Sequence, residues 1–138
     1  MTQIESEKVL INRSNVDVFN FLSDFTHFNK LIPPQISNWH AETDKCSFSV
    51  QQNLPEISIK IDEKIPYSQI NFKSDTVSPI DFTIICVLNQ NSDKLTEIYI
   101  SFVADFPPMI KMMASKPVKN LIDSLVKSLK EFAENNGF

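Results

Sequence analysis

Residues 117–134 read PVKNLIDSLVKSLKEFAE, and within them Val118, Leu121, Ile122, Leu125, Val126, Leu129, Phe132 and Ala133 recur every three or four positions. That spacing predicts a helix with one apolar stripe, whose other face carries Lys119, Asn120, Asp123, Ser124, Lys127, Lys130 and Glu131. About five turns of stripe are too much hydrocarbon to leave in water, so the helix requires a broad apolar partner. The middle of the chain supplies it, because from Ile36 onward the hydrophobic period changes to two.

Trp39 and Ala41 share one parity of the segment Ser37–Thr43, and Cys46, Phe48 and Val50 share one parity after the polar turn Asp44-Lys45, which predicts a hairpin. Beyond a turn at Asn53–Pro55, Ile57, Ile59 and Ile61 alternate with Glu56, Ser58, Lys60 and Asp62, the pattern of a half-buried strand closed by Pro66. Ile70 and Phe72 mark the next strand, and Pro79 separates it from Ile80, Phe82, Ile84, Cys86 and Leu88. A last strand, Leu95–Asp105, puts Ile98, Ile100, Phe102 and Ala104 on one side. Residues 2–11 form a first strand ahead of all these. Ser14-Asn15-Val16-Asp17 has the S-x-x-D form of a capping box and opens a short helix to about Ser23; a second short helix over Thr26–Leu31 ends at Pro33-Pro34. Pro107-Pro108 suits a helix start, and Pro117 is expected to break or kink that helix and open the final one.

The order of elements is thus a strand, two short helices, six antiparallel strands and a long C-terminal helix. It predicts an α+β helix-grip fold, a curved seven-stranded antiparallel sheet wrapped around that helix, as one domain over residues 1–138. The chain resembles the START-like or Bet v 1-like superfamily, also called SRPBCC, and in particular its small bacterial members of polyketide cyclase/dehydrase type. The residues that carry the resemblance are Val9-Leu10-Ile11-Asn12-Arg13-Ser14, the run Val18-Phe19-Asn20-Phe21-Leu22-Ser23-Asp24, Pro33-Pro34 and the terminal helix. The resemblance implies a cavity between sheet and helix that in many relatives takes a lipid, sterol, polyketide or other apolar molecule, and implies no one reaction.

Composition narrows the function classes. A single Gly leaves no phosphate-cradling loop, and a net charge of −4 with one arginine leaves no basic stripe for nucleic acid. No apolar run approaches the ~20 residues of a membrane span and residues 1–8 are polar, so stable membrane insertion is not expected and the reading is cytoplasmic. Cys46 and Cys86 lack metal-site spacing and read as buried reduced thiols. His27 and His40 read as surface residues, and no metal or other cofactor is expected.

Chemistry has few candidates. Glu63 continues the parity of Ile57, Ile59 and Ile61, so strict alternation would point its carboxylate inward as a general acid or base; a bulge before Pro66 would turn it out to water, the expected outcome. Tyr99 and Asp105 fall on the outward parity of the last strand. Phe48, Ile59, Ile61, Phe72, Phe82 and Ile84 are expected to line the interior from the sheet. Ile100, Phe102 and Ala104 would join them, with Met109, Met112, Met113 and Ile122 from the helical segment. Methionines adapt to varied apolar shapes, which suits a ligand pocket, and the same bulky residues suit a filled core. The leading expectation is non-enzymatic binding of a small apolar ligand. The alternatives are a cyclase or dehydrase acting through Glu63, and an interaction module whose core is full.

Overall fold

The computed structural model describes residues 2–49, 56–75 and 81–135. Its elements are β1 (Thr2–Glu5), β2 (Val9–Ile11), α1 (Asn15–Leu22), a 3-10 helix (Phe25–Lys30), β3 (Ser37–Ala41), β4 (Lys45–Ser49), β5 (Ile57–Ile65), β6 (Gln69–Ser74), β7 (Phe82–Ser92), β8 (Leu95–Ala104) and α2 (Pro108–Asn135). The strands form one antiparallel sheet in the order β1-β8-β7-β6-β5-β4-β3, with β2 also on β8, so β1 and β2 together occupy one edge position. The sheet therefore has seven strand positions, and α2 packs against β1, β2 and β8. Val50, the turn Asn53–Pro55, Pro79 and Ile80 lie outside the described residues.

The first strand is split where a continuous one was expected, and hydrogen bonds explain the split. Ser6 N–H donates to Ile100 O at 2.8 Å and the Ile100 N–H donates back to Ser6 Oγ at 2.8 Å, so a hydroxyl accepts where a ladder carbonyl would. The displaced backbone reaches α2 instead. Glu7 N–H donates to Asp123 Oδ1 at 2.7 Å, the Glu7 carboxylate lies 3.4 Å from Lys127 Nζ, and Lys130 Nζ donates to Leu10 O at 2.7 Å.

Ser14 caps α1 as its sequence predicts, Oγ accepting from Asp17 N–H at 3.2 Å. Ser14→Ala is expected to cost about 1 kcal/mol, lowering the melting temperature by about 4 °C in a calorimetric scan. The second helix is a 3-10 turn one residue earlier than predicted. Asp24 caps it by accepting from Thr26 Oγ1 at 2.6 Å and Thr26 N–H at 2.8 Å, and these bonds hold the Asp24 carboxyl below its usual range. In β3 the register shifts between Ser37 and His40, and Asn38 takes a positive φ of 55°, a conformation asparagine tolerates better than most residues.

The break expected at Pro117 does not occur: α2 is one helix of 28 residues with Pro117 inside it. Its stripe residues Ile122, Val126, Leu129 and Ala133 are buried, in a core with Ile11, Val18, Leu22, Ile70, Leu88 and Ile98.

Candidate functional site

The two ends of the sheet's inner face differ in filling. At the end covered by α1, the inward residues Thr96, Ile98, Leu88, Cys86 and Ile70 are buried, alternating with more exposed neighbours as a one-sided sheet requires. Toward the start of β7 the alternation disappears: Phe82 and Ile84, which face inward, are only half-buried, like the outward Thr83 and Ile85. Ile84 stands in register between Phe72 and Phe102, with Ile61 beside Phe72, so it lies on a central strand and not at an edge. Ile57, Ile61 and Ile100, also inward, are half-buried too. The inner face is thus fully buried at one end and only partly buried at the other, the open end.

Aromatic rings bound this open end. Phe82, Phe102 and Phe106 stack in sequence at centroid distances of 5.2 and 6.0 Å. On the opposite flank Phe25 packs on Phe72 at 5.3 Å, Phe28 on Trp39 at 6.4 Å and Trp39 on Phe48 at 6.0 Å, with Trp39 Nε1 donating to Asn29 Oδ1. Phe48, Ile59, Phe72, Phe102, Ala104 and Ile122 are buried, and Leu121 of α2 packs against the core.

Ionisable chemistry is sparse there. Desolvation pushes the Cys46 and Cys86 thiols up to about 12, so both stay protonated at neutral pH and are poor nucleophiles. Glu63 is exposed: the register shifts between Ile61 and Glu63, and past that bulge Glu63 pairs with Asn71, on the parity opposite Ile70 and Phe72. Asp105 is exposed, and Tyr99 lies under the Lys8 ammonium, 5.4 Å from the ring centroid. His40 is exposed and His27 stacks on Phe21 at 5.0 Å; no group of three metal-ligating side chains converges among the described residues.

The methionines depart from expectation. Met109, Met112 and Met113 are 75%, 85% and 72% exposed, not turned toward the sheet. Every residue from Pro107 to Met113 is exposed, Lys111 included although it lies within about 20° of the Ile122 direction at about 100° per residue, so the start of α2 is exposed on all sides whatever its phase.

Two concavities lie away from this end. One of about 520 Å3 lies over β3–β5, where Glu42, Glu56 and Asp75 mix with His40 and Lys45; the other, about 260 Å3, lies between the residues Lys30–Ile32 and the end of α2. Neither is lined by any residue predicted for the ligand cavity. No signal in the sequence pointed to either one.

Neither a protein-family model nor a curated protein matches the sequence. Solved structures do. A START superfamily protein from Mycobacterium smegmatis aligns with a TM-score of 0.74 at 12% identity, over 96% of this chain and 97% of the other. The protein XoxI from Bacillus cereus aligns with a TM-score of 0.76 at 9% identity, over 98% and 97%. An Aha1 dimer from Colwellia psychrerythraea aligns with a TM-score of 0.66 at 17% identity, over 99% and 98%. At such identities the likeness is one of fold, and the chain has the START-like helix-grip fold.

Proposed function

We propose that this protein binds a small apolar molecule, without chemical conversion, at the open end of the interior between sheet and α2. The observation that carries this reading is the half-burial of Ile84, Ile61, Ile57 and Phe82 on the inner face, next to fully buried Ile70, Leu88 and Ile98. These side chains pack against the core yet keep part of their apolar surface uncovered, surface that a ligand would bury. Apolar walls bounded by stacked phenylalanines favour a lipid tail, an isoprenoid or a flat aromatic. The placement of Glu63 argues against the acid–base alternative, since its exposed carboxylate lies on the parity opposite Ile70 and Phe72 and faces away from the interior.

The test is a thermal shift screen of fatty acids, isoprenoids and flat aromatics, with native mass spectrometry of protein purified from cells. A ligand at a hundredfold its dissociation constant adds about 2.7 kcal/mol, a rise of about 8–10 °C. Ile84→Trp should fill the open space and weaken that ligand at least tenfold. Ala104, the smallest inward residue on β8, is less suitable for this purpose: it is already buried opposite Phe82, and a larger side chain there would overpack. A wild-type protein that no apolar compound stabilises and that leaves cells with nothing bound would overturn the reading.

A further inference from the structure

The described residues expose eight large hydrophobic side chains, and four of them, Met109, Ile110, Met112 and Met113, fall within five consecutive positions of α2. Met109, Met112 and Met113 are 72–85% exposed, whereas Ile110 and the other four, Leu10, Val16, Ile65 and Tyr67, are 38–43% exposed. Pro107 and Pro108, also exposed, extend the patch at the helix start. The same stretch is basic within a chain of net charge −4: from Phe106 to Ile122 there are three lysines, Lys111, Lys116 and Lys119, and no acid. Lys119 pairs with Asp123 at 3.1 Å, whereas Lys111 and Lys116 have no carboxylate within 4 Å among the described residues and are exposed. The described carboxylates at this end of the sheet, Glu56, Asp75, Asp81 and Asp105, lie at or beyond strand ends and not on the helix.

We propose that the first turns of α2 dock on an anionic lipid bilayer, with Met109, Ile110, Met112 and Met113 entering the headgroup–acyl boundary and Lys111 and Lys116 meeting lipid phosphates. Exposed apolar side chains flanked by lysines, on a helix too polar to span, are the composition of an interfacial contact about 5–10 Å deep. A protein partner fits less well. Four anchors within five residues fall far short of the roughly 20–30 residues a side of a stable protein interface, whereas a bilayer needs only a shallow tip and the charge attraction adds to it. Methionine, unbranched and adaptable, suits a fluid apolar medium. The docking stands on the surface of α2 alone. Joined to the ligand reading, it sets the open end of the interior beside a source of apolar cargo.

Vesicle cosedimentation tests it, comparing phosphatidylcholine alone with phosphatidylcholine containing a quarter phosphatidylglycerol. Wild-type protein should bind the anionic vesicles, less at high salt, and leave the neutral ones. A Met112→Asp, Met113→Asp double variant should lose the binding with its melting temperature unchanged, because both side chains are already in solvent. A Lys111→Gln, Lys116→Gln double variant should bind about thirtyfold more weakly. Failure of the wild type to bind, or equal binding by the methionine variant, overturns the proposal. So does a wild-type dimer in sedimentation that Met112→Asp, Met113→Asp dissociates, which would assign the face to a second copy. The ligand reading stands or falls separately: dispersed ligand should still raise the melting temperature of the methionine variant, and a ligand-free wild type leaves vesicle binding unaffected.

Discussion

Leu129→Asp is expected to leave most of the protein unfolded at room temperature. Leu129 is 2% exposed, in one core with Ile11, Val18, Leu22 and Ile98, and no cation belongs to that cluster among the described residues. Truncating a buried leucine alone costs about 2–5 kcal/mol, and setting an unpaired carboxylate in its place adds several more. Against a total stability of about 5–15 kcal/mol, the sum removes most or all of the folded population. Circular dichroism melting and the soluble fraction after expression measure the loss. Leu125→Asp provides a graded comparison: Leu125 is half-buried, so its carboxylate can reach water and the loss should be smaller. A Leu129→Asp protein with the wild-type melting temperature would mean that α2 does not complete the core.

That dependence explains why the architecture is legible in the sequence. The stripe from Val118 to Ala133 has a single solution, burial against a sheet, and the period-two segments supply the sheet. Expectation and structure part where one local interaction overrides periodicity. Ser6 splits the first strand because its hydroxyl competes for the Ile100 N–H, a bond that alternation does not encode. The bulge before Glu63 reverses parity on β5, foreseeable as an option from the nearby Pro66 but fixed only by pairing with Asn71. The placement of the methionines is not a matter of phase: Pro107 to Met113 are exposed all round the helix, Lys111 on the Ile122 side included, and no residue pattern marks where burial of α2 begins. The half-burial of Ile84, Ile61 and Phe82 is not legible at all, because alternation marks a side chain as inward but not how fully it is covered.

Pro117→Ala is expected to stabilise the protein, by a margin larger than a surface substitution ordinarily gives. Pro117 sits inside α2, solvent-exposed, with no N–H to offer the Met113 carbonyl and a ring that crowds it. An interior proline costs about 3 kcal/mol relative to alanine. Part of that is offset because alanine frees the unfolded chain, worth about 0.4–1 kcal/mol in the opposite direction. The expected net gain is about 2 kcal/mol, a rise of about 6–8 °C in melting temperature. The same variant bears on the surface of α2, because Met109 to Lys116 make up the helical turns that lead directly into Pro117. With a continuous helix, alanine restores a missing bond and leaves the face where it is, so vesicle binding should match the wild type or exceed it. A melting temperature that stays put or falls, with vesicle binding reduced, would show that the first turns of α2 are not helical in solution. The methionines would then be free to fold back over Ile84 and Phe82.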